Sequence, residues 1–313
     1  MASTQQIKAR IGSVKNTKQI TKAMELVSAS KMRRAQEATL ASRDYTTTAR
    51  QILTRLRELT DVSKHPLFSV RPIKSRILIV ITSDRGLAGA YNSNVLRALT
   101  KELQNDRANG ITTQLITIGK QAARFAAKID DIDVIASYDN MPERPSISDL
   151  STILSTVKEK FVREPVTKAI KTDENDSDTT PPISSLTPTV DAVDILFTDF
   201  KSSVLQEVTQ QRLLPAAMND EDRADHDLDE AIFEPSPKEV LNTIADRLVD
   251  VQLWQAYLES QASEQSSRMM AMKTASDNAG ELIDDLTLAM NSARQAAITQ
   301  ELAEIVGGAE AMK

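Results

Sequence analysis

The 313-residue chain is 41% hydrophobic and 26% charged, with 4% aromatic residues, 8 Gly and 11 Pro. That composition excludes a disordered tail and a membrane span, and the scarcity of aromatic and turn residues favours long helices over a turn-rich β sandwich. There is no cysteine and the two histidines, His65 and His226, lie far apart, which excludes disulfides, thiolate catalysis and Cys-ligated zinc and makes His-based metal or acid–base chemistry a poor expectation. The opening MASTQQIKAR is polar and runs straight into a helical pattern, so neither a leader peptide nor a membrane-inserted segment is expected.

The net charge of −6 hides an asymmetry. Residues 1 to 57 hold twelve Lys or Arg against three acids, an excess of nine positive charges; residues 238 to 306 hold five basic residues against eleven acids, an excess of six negative charges. A basic amphipathic segment is compatible with nucleic-acid or membrane binding. Because the chain carries its own acidic complement, pairing between the two ends is the simpler expectation.

The first predicted element is a helix from about Thr4 to Leu59. Ile7, Ile11 and Val14, then Ile20, Met24 and Val27, then Tyr45, Ala49, Ile52, Leu56 and Leu59 alternate in steps of four and three, the seam of a left-handed coiled coil. On this register a charge at Ile20 would weaken the seam. No proline precedes Pro66 and Gly12 is the only glycine before Gly86, so the helix is expected to extend roughly 80 Å.

A central α/β domain is expected next. Arg76–Thr82 is a continuous apolar run, the pattern of a strand buried on both faces. A turn, SDRGLAGAYN, leads to a helix over 92–103, a strand over 113–119, a helix over 120–128, a strand over 133–137, a helix over 148–161 and a strand over 193–200. Alternation of this kind predicts a doubly wound, mainly parallel sheet. The Ser83–Gly89 turn stands where a phosphate loop would be, but it lacks the second tight glycine of Gly-x-Gly-x-x-Gly and the Gly-Lys-Ser/Thr of a Walker loop. A tight turn with Asp84 and Arg85 as a local ion pair is the simpler reading. The acidic stretches 172–189 and 219–231 read as solvated loops. In the second of them the calcium-loop spacing is absent.

The last element starts at Ser236-Pro237-Lys238-Glu239, with Ser as N-cap, Pro in the first turn and Glu at the capping-box position. Its apolar stripe begins with Leu241, Ile244, Leu248, Val251 and Leu258, and the pattern is expected to close at Gly307-Gly308. A helix this long needs a partner face, which the first helix supplies in an antiparallel pair. From Met269 onward Ala and Met surround much of the helix, more apolar surface than one partner covers. A thicker bundle, a dimer or insertion into a partner's sleeve would each account for it.

Three stretches carry a family resemblance: IKARIGSVKNTKQITKAMELVSASKMRRAQ (7–36), SDRGLAGAYNSN (83–94) and, with SEQSSRMMAMKTASDNAGELIDDL (263–286), ARQAAITQELAEIVGGAEA (293–311). Together they resemble the γ subunit of F-type ATP synthase, the central rotor stalk. The resemblance weakens over 129–192 and 216–231. It implies an α/β protein with a long antiparallel coiled coil of N- and C-terminal helices, the shaft comprising 1–60 and 236–313 and the globular domain 74–235, with loop 172–189 an insertion. It further implies partners in the α and β subunits of the hexamer, the ε subunit and the membrane c-ring, and no nucleic acid. Carried over by motif, Met24, Arg268, Arg294, Gln295, Thr299 and Glu301 would contact the hexamer, while Phe233 and Glu234 would form the foot on ε and the c-ring. Such a subunit has no catalytic residues, cofactor or metal of its own. It couples proton or sodium flow to ATP chemistry on the β subunits. The lack of every cysteine and of a transit peptide favours a bacterial form, peripheral on the cytoplasmic side of the plasma membrane.

Overall fold

The computed structural model describes residues 4–62, 65–142, 146–162, 190–216 and 233–311. In chain order the elements are α1 (Thr4–Leu59), β1 (Ser75–Ile81), α2 (Tyr91–Asn109), β2 (Thr112–Ile118), α3 (Lys120–Ala126), β3 (Asp133–Tyr138), α4 (Ser151–Val162), β4 (Ala192–Phe200), β5 (Gln206–Leu214) and α5 (Pro237–Ala311). Short 3-10 turns occupy Pro66–Phe68 and Ile147–Leu150. The acidic stretches 172–189 and 219–231 lie outside the described residues.

The chain divides into two compact units, one of Met1–Arg33, Leu87–Gly89 and Gln265–Lys313, the other of Arg34–Gly86 and Ala90–Glu264. In the second unit the sheet order is β3-β2-β1-β4-β5. The first four strands are parallel, and β5 returns antiparallel to β4. Alternate residues of β1 serve opposite faces, as a pleated strand requires. Ile77, Ile79 and Ile81 join α4 and the parts of the long helices that carry Leu53, Leu56, Leu248 and Leu253. Leu78 and Val80 pack with Val95 and Leu99 of α2 and Ala122 of α3. Both faces of the sheet are therefore covered by helices, which is why β1 reads as an unbroken apolar run.

Several boundaries depart from the sequence reading. Helix α2 runs to Asn109, where Gly110 at φ 70° closes it by the left-handed cap that glycine permits. The helix expected from Ser148 opens instead with a 3-10 turn, capped reciprocally by Ser146 and Asp149, before α4 begins. Strand β5 was not expected at all. It is a half-exposed edge strand, and its QEVTQQRLL is too polar to stand out as sheet. Helix α5 continues through Gly307-Gly308 to Ala311, because no packed neighbour or proline ends it there.

In the first unit α1 and α5 run antiparallel, with the Lys18 side chain lying over Gly280. The seam differs from the expected one after Val14. Ile11, Thr21 and Ser28 are buried and Ile7 and Val14 half-buried, so the heptad of Ile7 and Val14 continues through Thr21 and Ser28. Ile20 is 61% exposed and Val27 54% exposed. The apolar trio Ile20, Met24 and Val27 is one residue out of phase with this heptad, about 100° round an α-helix. The helix keeps its phase, buries small hydroxyl residues and turns the larger apolar side chains outward. A charge at Ile20 would accordingly be solvated, contrary to the expectation from spacing.

Candidate functional site

Doubly wound sheets take ligands beyond the carboxyl ends of their strands, at the point where the strand order reverses. Here that point lies between β1 and β4, and α5 occupies it. Ser263 Oγ donates to the Thr198 carbonyl at 3.1 Å, and the Tyr91 hydroxyl and Ser260 Oγ are 2.7 Å apart.

The turn after β1 is closed on itself. Ser83 N donates to Asn92 Oδ1 at 3.1 Å, Asn92 Nδ2 donates to Ser83 Oγ at 2.8 Å, and Ser83 Oγ donates to the Arg85 carbonyl at 2.6 Å. Asp84 Oδ1 accepts from Lys120 N at 3.1 Å, and Thr82 Oγ1 accepts from Ala122 N at 2.9 Å. The Asp84 carboxylate thus caps the start of α3, where a phosphate would otherwise sit. A cavity of about 30 Å³ remains, lined by Thr82, Asp84, Tyr91, Tyr257, Gln261 and Glu264 among others. It has room for roughly one water. Burial, followed by the charges of Glu264, Asp84 and Asp149, pushes the Tyr257 phenol well above its ordinary value and keeps it neutral. Two carboxylates in so small a space repel a nucleotide phosphate, and this turn builds no phosphate cradle.

Leu87, Ala88 and Gly89 belong to the other unit. Gly89, at φ 55°, approaches the Ser267 carbonyl and the Ala271 side chain. Leu87 also has a positive φ, 62°, and its side chain is exposed.

The residues singled out in the sequence fall in three places. Arg294, Gln295, Thr299 and Glu301 are exposed near the end of α5, with Thr299 Oγ1 donating to the Gln295 carbonyl at 2.9 Å. Met24 is half-buried beside the α1 seam, and Arg268 is 7% exposed in the same unit. Phe233 and Glu234 belong to the other unit. Phe233 packs on its core, Glu234 is exposed, and Ser236 Oγ accepts from Glu239 N at 3.3 Å to cap α5.

The site's most informative residues were not singled out in the sequence. Counting antiparallel from Lys18 over Gly280 sets Thr4, the start of α1, opposite Arg294. Residues 294–308 of α5 therefore lie beyond the described part of the partner helix, and all are exposed. Ile298, Leu302 and Ile305 line one face of this stretch, the i, i+4, i+7 spacing of a helix meant to be covered. The spacing is visible in the sequence, but its exposure is visible only in the folded chain. A second outward stripe on α1 holds Ile20, Leu26 and Val27, with Lys15, Lys18, Lys22 and Arg33 exposed around it. Lys22 is paired with Glu25 of its own helix at 3.0 Å.

Among the described residues there is no cluster of His, Cys, Asp or Glu able to hold a metal ion, and no helix long and apolar enough to cross a membrane. The crevice at the strand-order reversal is filled by the chain's own helix, and apolar side chains of α1 and α5 stand exposed.

The family model for ATP synthase matches residues 3–312. The ATP synthase gamma chains of Legionella pneumophila strains Corby and Lens are 35% identical over 314 residues, covering all of both chains. Among solved structures, the chain resembles one from the Tetrahymena thermophila mitochondrial ATP synthase central stalk and c-ring, with TM-score 0.58, 23% identity, and coverage of 82% of this chain and 99% of that one. A chain of the Euglena gracilis mitochondrial ATP synthase OSCP/F1/c-ring assembly gives TM-score 0.63 at 16% identity, covering 99% and 94%. At those identities the structures speak for the fold. With the full-length sequence match and two terminal helices flanking a mainly parallel sheet, they show that this chain belongs to the γ-subunit family of the F-type ATP synthases, the central stalk of that machine.

Proposed function

We propose that the chain is the rotor that couples proton or sodium flow through the membrane c-ring to ATP synthesis or hydrolysis on the β subunits, making and breaking no covalent bond itself. The two terminal segments, 1–60 and 236–313, are the shaft, and 74–235 is the globular body. The observation that carries this reading is the exposed end of α5, where Ile298, Leu302 and Ile305 lie along one helix face. Inside a ring of α and β subunits that stripe would be covered by an apolar sleeve. Its weakly directional contacts with aliphatic side chains permit turning without a fixed seat.

On this reading Arg294, Gln295, Thr299 and Glu301 contact the hexamer directly, Met24 does so from the flank of the α1 seam, and Arg268 contributes only its exposed margin. Exposed basic residues of α1 attract acidic loops of the β subunits loosely. Phe233 and Glu234 meet ε and the c-ring, and the protein is a peripheral subunit on the cytoplasmic side of a bacterial plasma membrane. Differential contact of one asymmetric shaft with three identical β subunits biases each catalytic site differently.

Reconstitution tests the coupling. ATPase turnover of α and β subunits is expected to rise severalfold when this chain is added, and to lose most of that gain with Ile298→Asp/Leu302→Asp. Turnover indifferent to the chain would contradict the reading.

A further inference from the structure

His65 lies between the end of α1 and the start of β1, in the turn that returns the chain from the first helix to the sheet. Its Nδ1 accepts a hydrogen bond from Leu67 N at 3.2 Å, so the imidazole is the N-cap of the Pro66–Phe68 turn. The ring also meets Phe68 edge to face at 5.7 Å, with the Asn242 side chain of α5 beside it. Backbone bonds tie the same turn in place: His65 N donates to the Val62 carbonyl at 3.0 Å, and Ala216 N, just past β5, donates to the Leu67 carbonyl at 2.8 Å. Leu67 and Phe68 are buried in the large core, against which Phe233 also packs. One imidazole nitrogen therefore helps hold together the end of α1, the exit of β5 and the approach to α5.

We propose that His65 is a pH-sensitive latch: when Nδ1 takes up a proton it can no longer accept from Leu67 N, and the Pro66–Phe68 turn is released. A neutral imidazole has one acceptor nitrogen, and the cation has none. Among the described residues, the charged groups facing the ring are Asp246 of α5 and, beyond it, Lys158 of α4, which pairs with Asp246 at 3.2 Å and Asp250 at 2.7 Å. Burial favours the neutral ring and outweighs both the attraction of Asp246 and the influence of Asn242, so the group lies below the ordinary histidine value of 6.5. The folded turn binds the proton less well than the unfolded chain. Its contribution is complete above that ordinary value and is lost as pH falls through it toward the folded value. The latch stands on this geometry alone. Only its consequence, a looser foot and weaker coupling in an acidified compartment, rests on the rotor reading.

Asparagine in place of the histidine separates the cap from its titration, since the amide Oδ1 would occupy the place of Nδ1 and accept at every pH. Hydrogen exchange of the amides of residue 65 and residues 67–69, corrected for intrinsic rates, is to be compared in the full-length wild-type chain and His65→Asn. The span runs from above the ordinary histidine value to about two units below it. Wild-type exchange is expected to accelerate about fivefold on acidification, the loss of one ordinary cap, while His65→Asn stays protected throughout. Equal acid acceleration in both, or none in wild type, would overturn the latch. An NMR titration of the wild-type ring, resolved from His226 by a His226→Gln chain, covers the case in which His65→Asn does not fold. A ring titrating at or above the ordinary value would equally overturn it.

Discussion

Gly119→Ala is expected to destabilise the sheet-bearing unit by about 4 kcal/mol, or to leave it unfolded. Gly119 ends β2 at φ 96°, a region that other residues enter only under strain. A Cβ built there would lie 2.2 Å from the Thr82 carbonyl oxygen and 2.7 Å from its carbon. Neither atom can withdraw cheaply. Thr82 N is held to the Ile118 carbonyl at 2.8 Å, Gly119 N to the Tyr138 carbonyl at 2.8 Å, and Thr82 Oγ1 accepts from the start of α3. The substitution would push apart β1, β2 and β3 at the end where the turn before α2 begins. Gly86→Ala is the matched control, because nothing lies within 4 Å of its added Cβ and its φ is not in the left-handed range. It should fall within about 0.5 kcal/mol of wild type. Denaturant midpoints read both, and equal midpoints would refute the packing argument.

Asp194→Ala is expected to cost about 3–5 kcal/mol, the range for removing one partner of a buried ion pair. Asp194, 1% exposed on β4, accepts from Arg76 Nη1 at 2.9 Å, from Gln210 Nε2 at 3.2 Å and from Arg212 Nε. Arg76, 5% exposed on β1, also donates to Asp106 Oδ2 at 2.7 Å and to Glu102 Oε2 at 3.1 Å. Burial opposes the Arg76 charge, yet hydrogen bonds to Glu102 and Asp106 and the field of Asp194 hold its pKa above the ordinary value. Deleting Asp194 strands part of that charge in a site where water cannot replace the carboxylate. Because the network couples its members, Arg76→Met/Asp194→Ala should cost less than the sum of Arg76→Met and Asp194→Ala. Thermal or denaturant unfolding of the four chains completes the cycle, and additive losses would contradict the coupling.

Where the sequence was legible, burial had written a simple period into it. Ile77 to Ile81 is apolar at every position because helices cover both sides of β1, and the Ser236-Pro237 cap marks the start of α5 within a residue. Legibility failed where side chains face both ways. Strand β5 alternates weakly because its outer edge is unpaired and half exposed. In α1, the spacing of large apolar residues was followed to Ile20 and Val27, but the helix buries Thr21 and Ser28, whose small size allows a close partner. The Ile20 and Val27 pattern belongs to a surface turned away from the chain's own seam. The candidate site shows the same limit. Arg294, Gln295, Thr299 and Glu301 were legible through a family resemblance. The exposed stripe of Ile298, Leu302 and Ile305 acquires its meaning only once the fold shows which faces of α5 are covered.

The lack of native cysteine makes the most direct test of rotary coupling simple to build. Glu234→Cys, at an exposed position ahead of α5, would give the chain a single thiol for a visible probe, with the α/β hexamer fixed to a surface. On addition of ATP the probe is predicted to turn continuously in one direction, pausing at thirds of a revolution. A hexamer that hydrolyses ATP while its bound, labelled chain stays still would contradict the account.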